Sequence, residues 1–264
     1  MSDEIVKVDE ITSVELVEAQ QRAEYDIQIS TAKRYPRDLT RVKNNCVAIA
    51  TMDKNTAESC RYALPRGGKS IAGPSVHLAR IIAQQYGNLR ADSKVKAILD
   101  KEIVSEAVAF DLETNYAVKV EVRRRIVDKY GKRFNDDMIT VTGNAANSIA
   151  YRNAVFAVIP KSIVDAGYKA ALEMVTGDLS NETKLLQARS KWLKYFKDKY
   201  NATEEEVLKT LNLNTINQIN AEAIANLAAF NQSLTDGDST PDELFGRVKG
   251  EKTTGNKASD QAKD

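Results

Sequence analysis

The residues best suited to chemistry in this 264-residue chain are cations, and the most ordered of them lie in "YAVKVEVRRRI", 116–126. With period two, Tyr116, Val118, Val120, Val122 and Ile126 fall on one side of an extended strand, with Arg124 the exception among them. Lys119, Arg123 and Arg125 fall on the other, with Glu121 between them. Two residues of strand advance about 6.6–6.8 Å, near the separation of successive phosphates on an extended nucleic-acid strand. The same alternation describes the solvated face of a one-sided sheet, and the period alone does not separate the two.

A second group rides on "TVTGNAANSIAYRNAVFAVIP", which predicts a long helix from about 143 to 159, stopped by Pro160. Ala145, Ala146, Ile149, Ala150, Ala154, Val155, Ala157 and Val158 form a small-residue packing surface. Asn144, Asn147, Ser148, Tyr151 and Arg152 form the other face. Amides and hydroxyls with one guanidinium and one ring suit hydrogen bonding to phosphates and stacking on a base; a solvent-facing, asparagine-rich surface has the same composition.

"LPRGGKS", 64–70, ends like a nucleotide-binding P-loop, but the glycine required five positions before Gly68 is Ala63. Pro65 also lacks the N–H that such a cradle needs. The glycines are therefore expected to serve the turn of a hairpin over 59–73, between "SCRYAL" and "KSIAG", with Arg66 and Lys69 at its tip. Asp111 and Glu121, the latter two positions before Arg123, imitate the carboxylates of a restriction-like nuclease. Metal-dependent cleavage needs such groups to converge, and an arginine is too firmly protonated to replace the usual lysine.

Two cysteines, Cys46 and Cys60, and one histidine, His77, leave a four-ligand zinc site or a histidine triad short of residues, so no structural metal is expected. Net charge is +1, yet it is unevenly spread: residues 27–200 hold 30 of the 38 Lys and Arg against 18 of the 37 Asp and Glu. A basic body between acidic ends is the footprint of a polyanion binder, although scattered solvated lysines give the same count. The acidic start "MSDEIVKVDE" matches neither a secretory signal nor a membrane span, which points to a reducing cytoplasm and free, packed thiols.

These groups need elements to position them. Helices are expected over 13–33, with Ser13 as N-cap and apolar Leu16, Ala19, Ala23 and Ile27 at helical spacing, and over 37–52, burying Leu39, Val42, Cys46, Ile49 and Ala50. The basic turn at Arg37 and Arg41 faces solvent or a phosphate in this reading. After the hairpin, Pro74 opens a helix that ends at Gly87. Strands over 89–99, 102–112 and 116–127, joined by "DK" and "ETN", read as an antiparallel meander. Beyond the long helix come a helix over 161–175, a linker, a lysine-rich helix over 184–200 and shorter helical segments to 246. The tail from 247 is polar and expected to be disordered.

This order, with "ALPRGGKSIAG" in the hairpin and "AYRNAVFAVIPKSI" closing the core, resembles the RecT and Red-beta superfamily of phage single-strand annealing proteins over about residues 30–246. Where RecT-like helices often hold paired basic residues, this chain has Tyr151 and Arg152. The resemblance implies an α+β fold: N-terminal helices, a hairpin, a helix, a three-stranded antiparallel meander and a long helix, plus a small C-terminal helical domain. In that reading residues 1–30 are an acidic helical segment, 31–176 the annealing core, 177–183 a linker, 184–246 a partner-binding domain and 247–264 a disordered tail.

By the same resemblance the chain is no enzyme and needs neither ATP nor metal. It would coat single-stranded DNA as a ring or helical filament, leave the bases exposed and anneal a complementary strand during phage recombination in the host bacterial cytoplasm. Arg66 and Lys69 would clamp the strand; Lys119, Arg123 and Arg125 would line the sheet side; Asn147, Tyr151, Arg152 and Lys161 would come from the final core helix and its exit. Lys191, Lys194 and Lys197 would dock the host single-strand-binding protein or a phage exonuclease. Two rival classes are a metal-dependent, restriction-like nuclease and a non-enzymatic structural or assembly protein of a phage particle.

Overall fold

The computed structural model describes residues 13–247 apart from 67, 68, 129, 178 and 180. The first twelve residues of the expected acidic segment, the tail after 247, and the side chains of Ser13, Arg66 and Lys69 lie outside the described residues. The fold is α+β. Its elements are α1 (Ser13–Arg34), α2 (Leu39–Ala50), α3 (Lys54–Ser59), β1 (Arg61–Arg66), β2 (Lys69–Pro74), α4 (Val76–Tyr86), β3 (Leu89–Ile98), β4 (Glu102–Asp111) and β5 (Tyr116–Arg125). Helices follow: α5 (Asp136–Val158), α6 (Lys161–Gly177), α7 (Glu182–Tyr200), α8 (Glu204–Leu211), α9 (Ala221–Thr235) and α10 (Pro241–Leu244), with a 3-10 turn at Ile216–Gln218. The chain divides into two units: the first runs to Arg61 and resumes over Gly73–Gly177, and the second takes Tyr62–Ala72 and the chain from Asp178 onward.

In the first unit β3, β4 and β5 form an antiparallel sheet in that order, with Ser105 opposite Val95 on one side and Val122 on the other. Central β4 is covered on its inner face by α5. The helix comes close because its contact stripe is small: Ala146 packs in a cluster with Ile103, and Ala150 and Ala154 pack with Ala107 and Ala109. A Cβ added at Gly143 would stand 2.9 Å from Ile103 Cδ1. Behind α5, helices α2, α3, α4 and α6 pack on one another and bury Val42, Cys46, Ala50, Leu78, Ile82, Ile163 and Ala171. Each large aliphatic side chain so buried contributes about 1.5–3 kcal/mol. Burial pushes the thiols of Cys46 and Cys60 up to about 11 and about 12, so both stay protonated at neutral pH.

Several local expectations are corrected. Leu16 and Ile27 of α1 are 52% and 67% exposed, with Ala19 and Ala23 also exposed; this helix is held by Ala32 and by contacts of Glu24, Tyr25 and Gln28, so the expected apolar stripe is left exposed among the described residues. Leu39 at the first turn of α2 is likewise exposed. Pro74 closes β2, and Ser75 caps α4 by accepting from the Leu78 N–H. α5 starts seven residues before the expected 143, because the Asn135 side chain accepts from the Met138 N–H and Asp136 and Asp137 complement the helix dipole. α3, capped by Asp53, was not expected. Arg37 faces neither solvent nor a phosphate: its guanidinium pairs with Asp111 and Glu113 and lies 3.8 Å over the Tyr86 ring. Burial, the largest single cause, opposes the charge on Arg37, but the Asp111 bond together with the charges of Tyr86, Asp111 and Glu113 outweighs it and its pKa is raised.

The second unit is helical around Trp192, Phe196, Val207, Ile219, Leu227, Phe230 and Phe245. Thr203 with Glu206 and Thr240 with Glu243 form capping boxes at α8 and α10. Arg247, expected to begin the tail, is folded: it pairs with Glu206 and donates to the carbonyls of Tyr200 and Asn201. The β1–β2 hairpin, expected within the 31–176 core, belongs to this unit, because Ala63 is fully buried in its apolar core and Ala72 packs against it.

Candidate nucleic-acid interface

Lys119, Glu121, Arg123 and Arg125 share the exposed outer face of β5, as the period-two reading predicts. The register then sets Glu106 of β4 opposite Glu121 and Glu102 opposite Arg125. Glu106 holds Lys119 at 3.1 Å and Lys96 at 3.2 Å; Glu121 holds Arg123 at 2.9 Å and Lys96 at 3.3 Å; Glu102 takes Arg123 at 3.0 Å. The Lys119 bond first, then Lys96, holds the Glu106 carboxyl below its ordinary range, and Arg123 does the same for Glu121. The partners respond in kind, with Lys96 and Arg123 raised. A phosphate arriving here must displace carboxylates already in place. Arg125 makes no ion pair among the described residues.

The polar face of α5 behaves differently. Asn144, Asn147, Ser148 and Tyr151 line a polar trough of about 560 Å³, closed by Arg80 from α4 and by Ala91, Asp92 and Ser93 from β3. The trough forms because α5 turns its small residues to the sheet, which leaves this stripe beside the unpaired edge of β3. Asn147 Oδ1 is buried without a hydrogen-bond partner. Tyr151 is half-buried; burial pushes its phenol pKa up and the nearby Arg80 charge opposes that shift. Arg80 is exposed and makes no ion pair among the described residues. Asp92 is the trough's one lining carboxylate.

Asp92 and Ser93 also line a second trough of about 500 Å³, so the two adjoin at β3. Tyr25 of α1, with Arg90, Lys94, Glu106, Val108 and Phe110 of the sheet, lines this one, so the Glu106 carboxylate that holds Lys119 and Lys96 borders it too. The Arg90 guanidinium lies 4.4 Å over the Tyr25 ring and pairs with Glu24 at 2.7 Å, and Lys94 is exposed.

The first unit thus brings together Asn147 and Tyr151 of the expected site. Arg152 does not line the trough; its Nε donates to Asn153. Lys161 is 84% exposed and bonded to Asp165 at 2.6 Å. The hairpin carrying Arg66 and Lys69 is in the second unit. There Lys191, Lys194 and Lys197 of α7 are exposed on the side away from buried Trp192 and Phe196. Arg80, Arg90 and Lys94 were not anticipated. The available signal was a lone cation in the otherwise apolar "VHLARIIA" and the alternation of "RADSK".

Asp111 and Glu121 do not converge as a nuclease needs. Asp111 lies on the inner face of the sheet, bound by Arg37 and Thr114, and Glu121 lies on the outer face. Among the described residues no three His, Cys, Asp or Glu side chains are grouped to hold a metal ion, and no helix is long and apolar enough to cross a membrane. No protein-family model, curated protein or solved structure matches this chain.

Proposed function

We propose that this protein binds single-stranded DNA along the two adjoining troughs at β3 and anneals it to a complementary strand, without ATP, in phage homologous recombination within the host cytoplasm. The observation that carries the reading is the trough lined by Arg80, Asn147 and Tyr151: among the described residues, a cation without an ion pair, a buried amide oxygen without a hydrogen-bond partner and a half-buried ring around space for a nucleotide. Tyr151 offers a stacking surface, and Arg80 and Lys94 offer charge to the backbone; Arg90 is already held by Glu24 and covers one face of the Tyr25 ring. Stacking on aromatic rings tolerates every base, so binding of this kind reads no sequence.

Annealing in this scheme requires only that the backbone be held extended while the pairing edges stay open. Copies of the chain would line one DNA strand as a ring or filament. The lysines of α7 would dock an acidic partner segment, from the host single-strand-binding protein or a companion exonuclease.

Fluorescence anisotropy with a labelled oligothymidylate at two salt concentrations tests the reading, followed by annealing of complementary oligonucleotides without nucleotide or metal. The expected result is binding whose log K falls with log salt at about −0.7 per phosphate contact, and annealing faster than the oligonucleotides achieve alone. Equal affinity for duplex and single strand, or no acceleration, would refute it.

A further inference from the structure

One wall of the trough beside α5 is backbone, because among the described residues β3 has no strand beyond it. The register fixes which groups that edge offers. The Leu112 N–H donates to the Asn88 carbonyl at 2.9 Å, so Asn88 turns its backbone toward β4. Alternation from there, with Lys94 opposite Glu106, turns the backbone groups of Arg90, Asp92 and Lys94 inward and those of Ala91 and Ser93 toward the open edge. The Ser93 N–H is already taken, since it donates to the Asp92 side chain at 2.8 Å. Ala91 is then the lining residue with both an outward N–H and an outward carbonyl, side by side. Its methyl packs on the cluster of Ala107, Ala109, Ala150 and Ala154, which holds the pair in place.

A free strand edge beside a helix also suits addition of an extended peptide, which bonds to a run of alternate residues. Here the run is cut at Ser93 by Asp92 and again by the register shift between Val95 and Ala97, as in edges protected against pairing. One donor–acceptor pair is left, which is the size of a base edge. Annealing keeps the pairing edge open, so a bound base is read on its major-groove edge. On that edge adenine alone sets a donor, N6–H, beside an acceptor, N7; guanine has two acceptors, cytosine a donor, and thymine an acceptor and a methyl group. We infer that the trough is an adenine-preferring seat, in which a base stacked on Tyr151 accepts the Ala91 N–H at N7 and donates N6–H to the Ala91 carbonyl. This rests on the proposed single-stranded DNA binding. Stacking there tolerates every base, and the β3 edge adds a preference at one position.

The test uses the full chain and two competitors for labelled oligothymidylate: oligodeoxyadenylate, and the same oligomer built from 7-deazaadenine. The analogue replaces N7 by C–H and keeps the ring and the pairing edge. It is expected to compete about five- to a hundredfold less well. Amide exchange at Ala91 should slow when oligodeoxyadenylate binds and stay unchanged with the analogue. Ala91→Pro deletes the outward N–H without costing a ladder bond, since proline is tolerated where a strand N–H faces away from the sheet. In that variant the difference between the two competitors should vanish. The reading is a ratio, so a general loss of affinity does not imitate it, and exchange in the wild type decides if the proline variant fails to fold.

Equal competition by the two oligomers would overturn the seat and leave base-neutral binding in the troughs standing. A preference for adenine with the Ala91 amide unprotected would locate the reading elsewhere and overturn it as well. Displacement of oligothymidylate by an extended peptide of alternating threonine and valine, lost in Ala91→Pro, would replace the base seat with strand addition. Failure of the wild type to bind any oligonucleotide would remove the proposed function, and the seat with it.

Discussion

The outer face of β5 and the trough beside α5 invert what a count of charges suggests. The sheet face has three cations in a row of four alternate positions, but Glu102, Glu106 and Glu121 neutralise two of them and Lys96 besides. Among the described residues the trough has one guanidinium, which makes no ion pair; beside it stands an amide oxygen with no hydrogen-bond partner among them. What attracts a ligand is the charge and hydrogen-bonding capacity left over after the protein has satisfied itself.

The largest effect that would break this comparison is expected from Arg80→Ala with Tyr151→Ala. Loss of a stacking ring costs about 1–3 kcal/mol of single-strand affinity, so binding by anisotropy should fall about ten- to a hundredfold. Tyr151→Phe keeps the ring and should bind within about threefold of wild type.

Glu106→Gln with Glu121→Gln sharpens the contrast from the other side. Removing two carboxylates frees Lys96, Lys119 and most of Arg123, so single-strand affinity should rise several-fold and the salt slope should steepen by up to about 1.4–2.1, for two to three new contacts at about 0.7 each. Lys119→Ala with Arg123→Ala should change affinity less than threefold, since carboxylates already hold both side chains, and should leave the thermal midpoint almost unmoved because the pairs are exposed.

The smallest effect separates a structural pair from the exposed ladder. Arg247, then the Thr203 N–H, holds Glu206 at about 2, below its ordinary value near 4.5. A depressed carboxyl adds stability that is complete above the unfolded value and lost as pH falls through the folded one. Melting of the second unit, read from Trp192, should therefore be insensitive to this group above about pH 4.5 and weaken toward pH 2. Glu206→Gln should flatten that decline.

Much of the framework was legible because it is local. The β5 alternation and the "DK" and "ETN" turns place three strands within two residues of their observed ends. What escaped depends on partners distant in the chain. Period alone gave α1 an apolar face, but only packing reveals that Leu16 and Ile27 stay exposed among the described residues. Glu106 read as an ordinary strand residue until register set it between Lys96 and Lys119. The hairpin looked like a neighbour of α4, its next element, yet its anchor is Ser233. Asn147 and Tyr151 were visible as a stripe, whereas Arg80, which completes their trough, stood out only as one charge on a buried helix.

Photocrosslinking of a bromodeoxyuridine oligonucleotide, with the adduct sites read by mass spectrometry, tests most directly where the strand lies. The account predicts adducts on Tyr151, with Tyr25 next, both lost in excess unlabelled oligothymidylate. Adducts confined to the outer face of β5 around Lys119 and Arg123, with Tyr151 and Tyr25 unmodified, would contradict it.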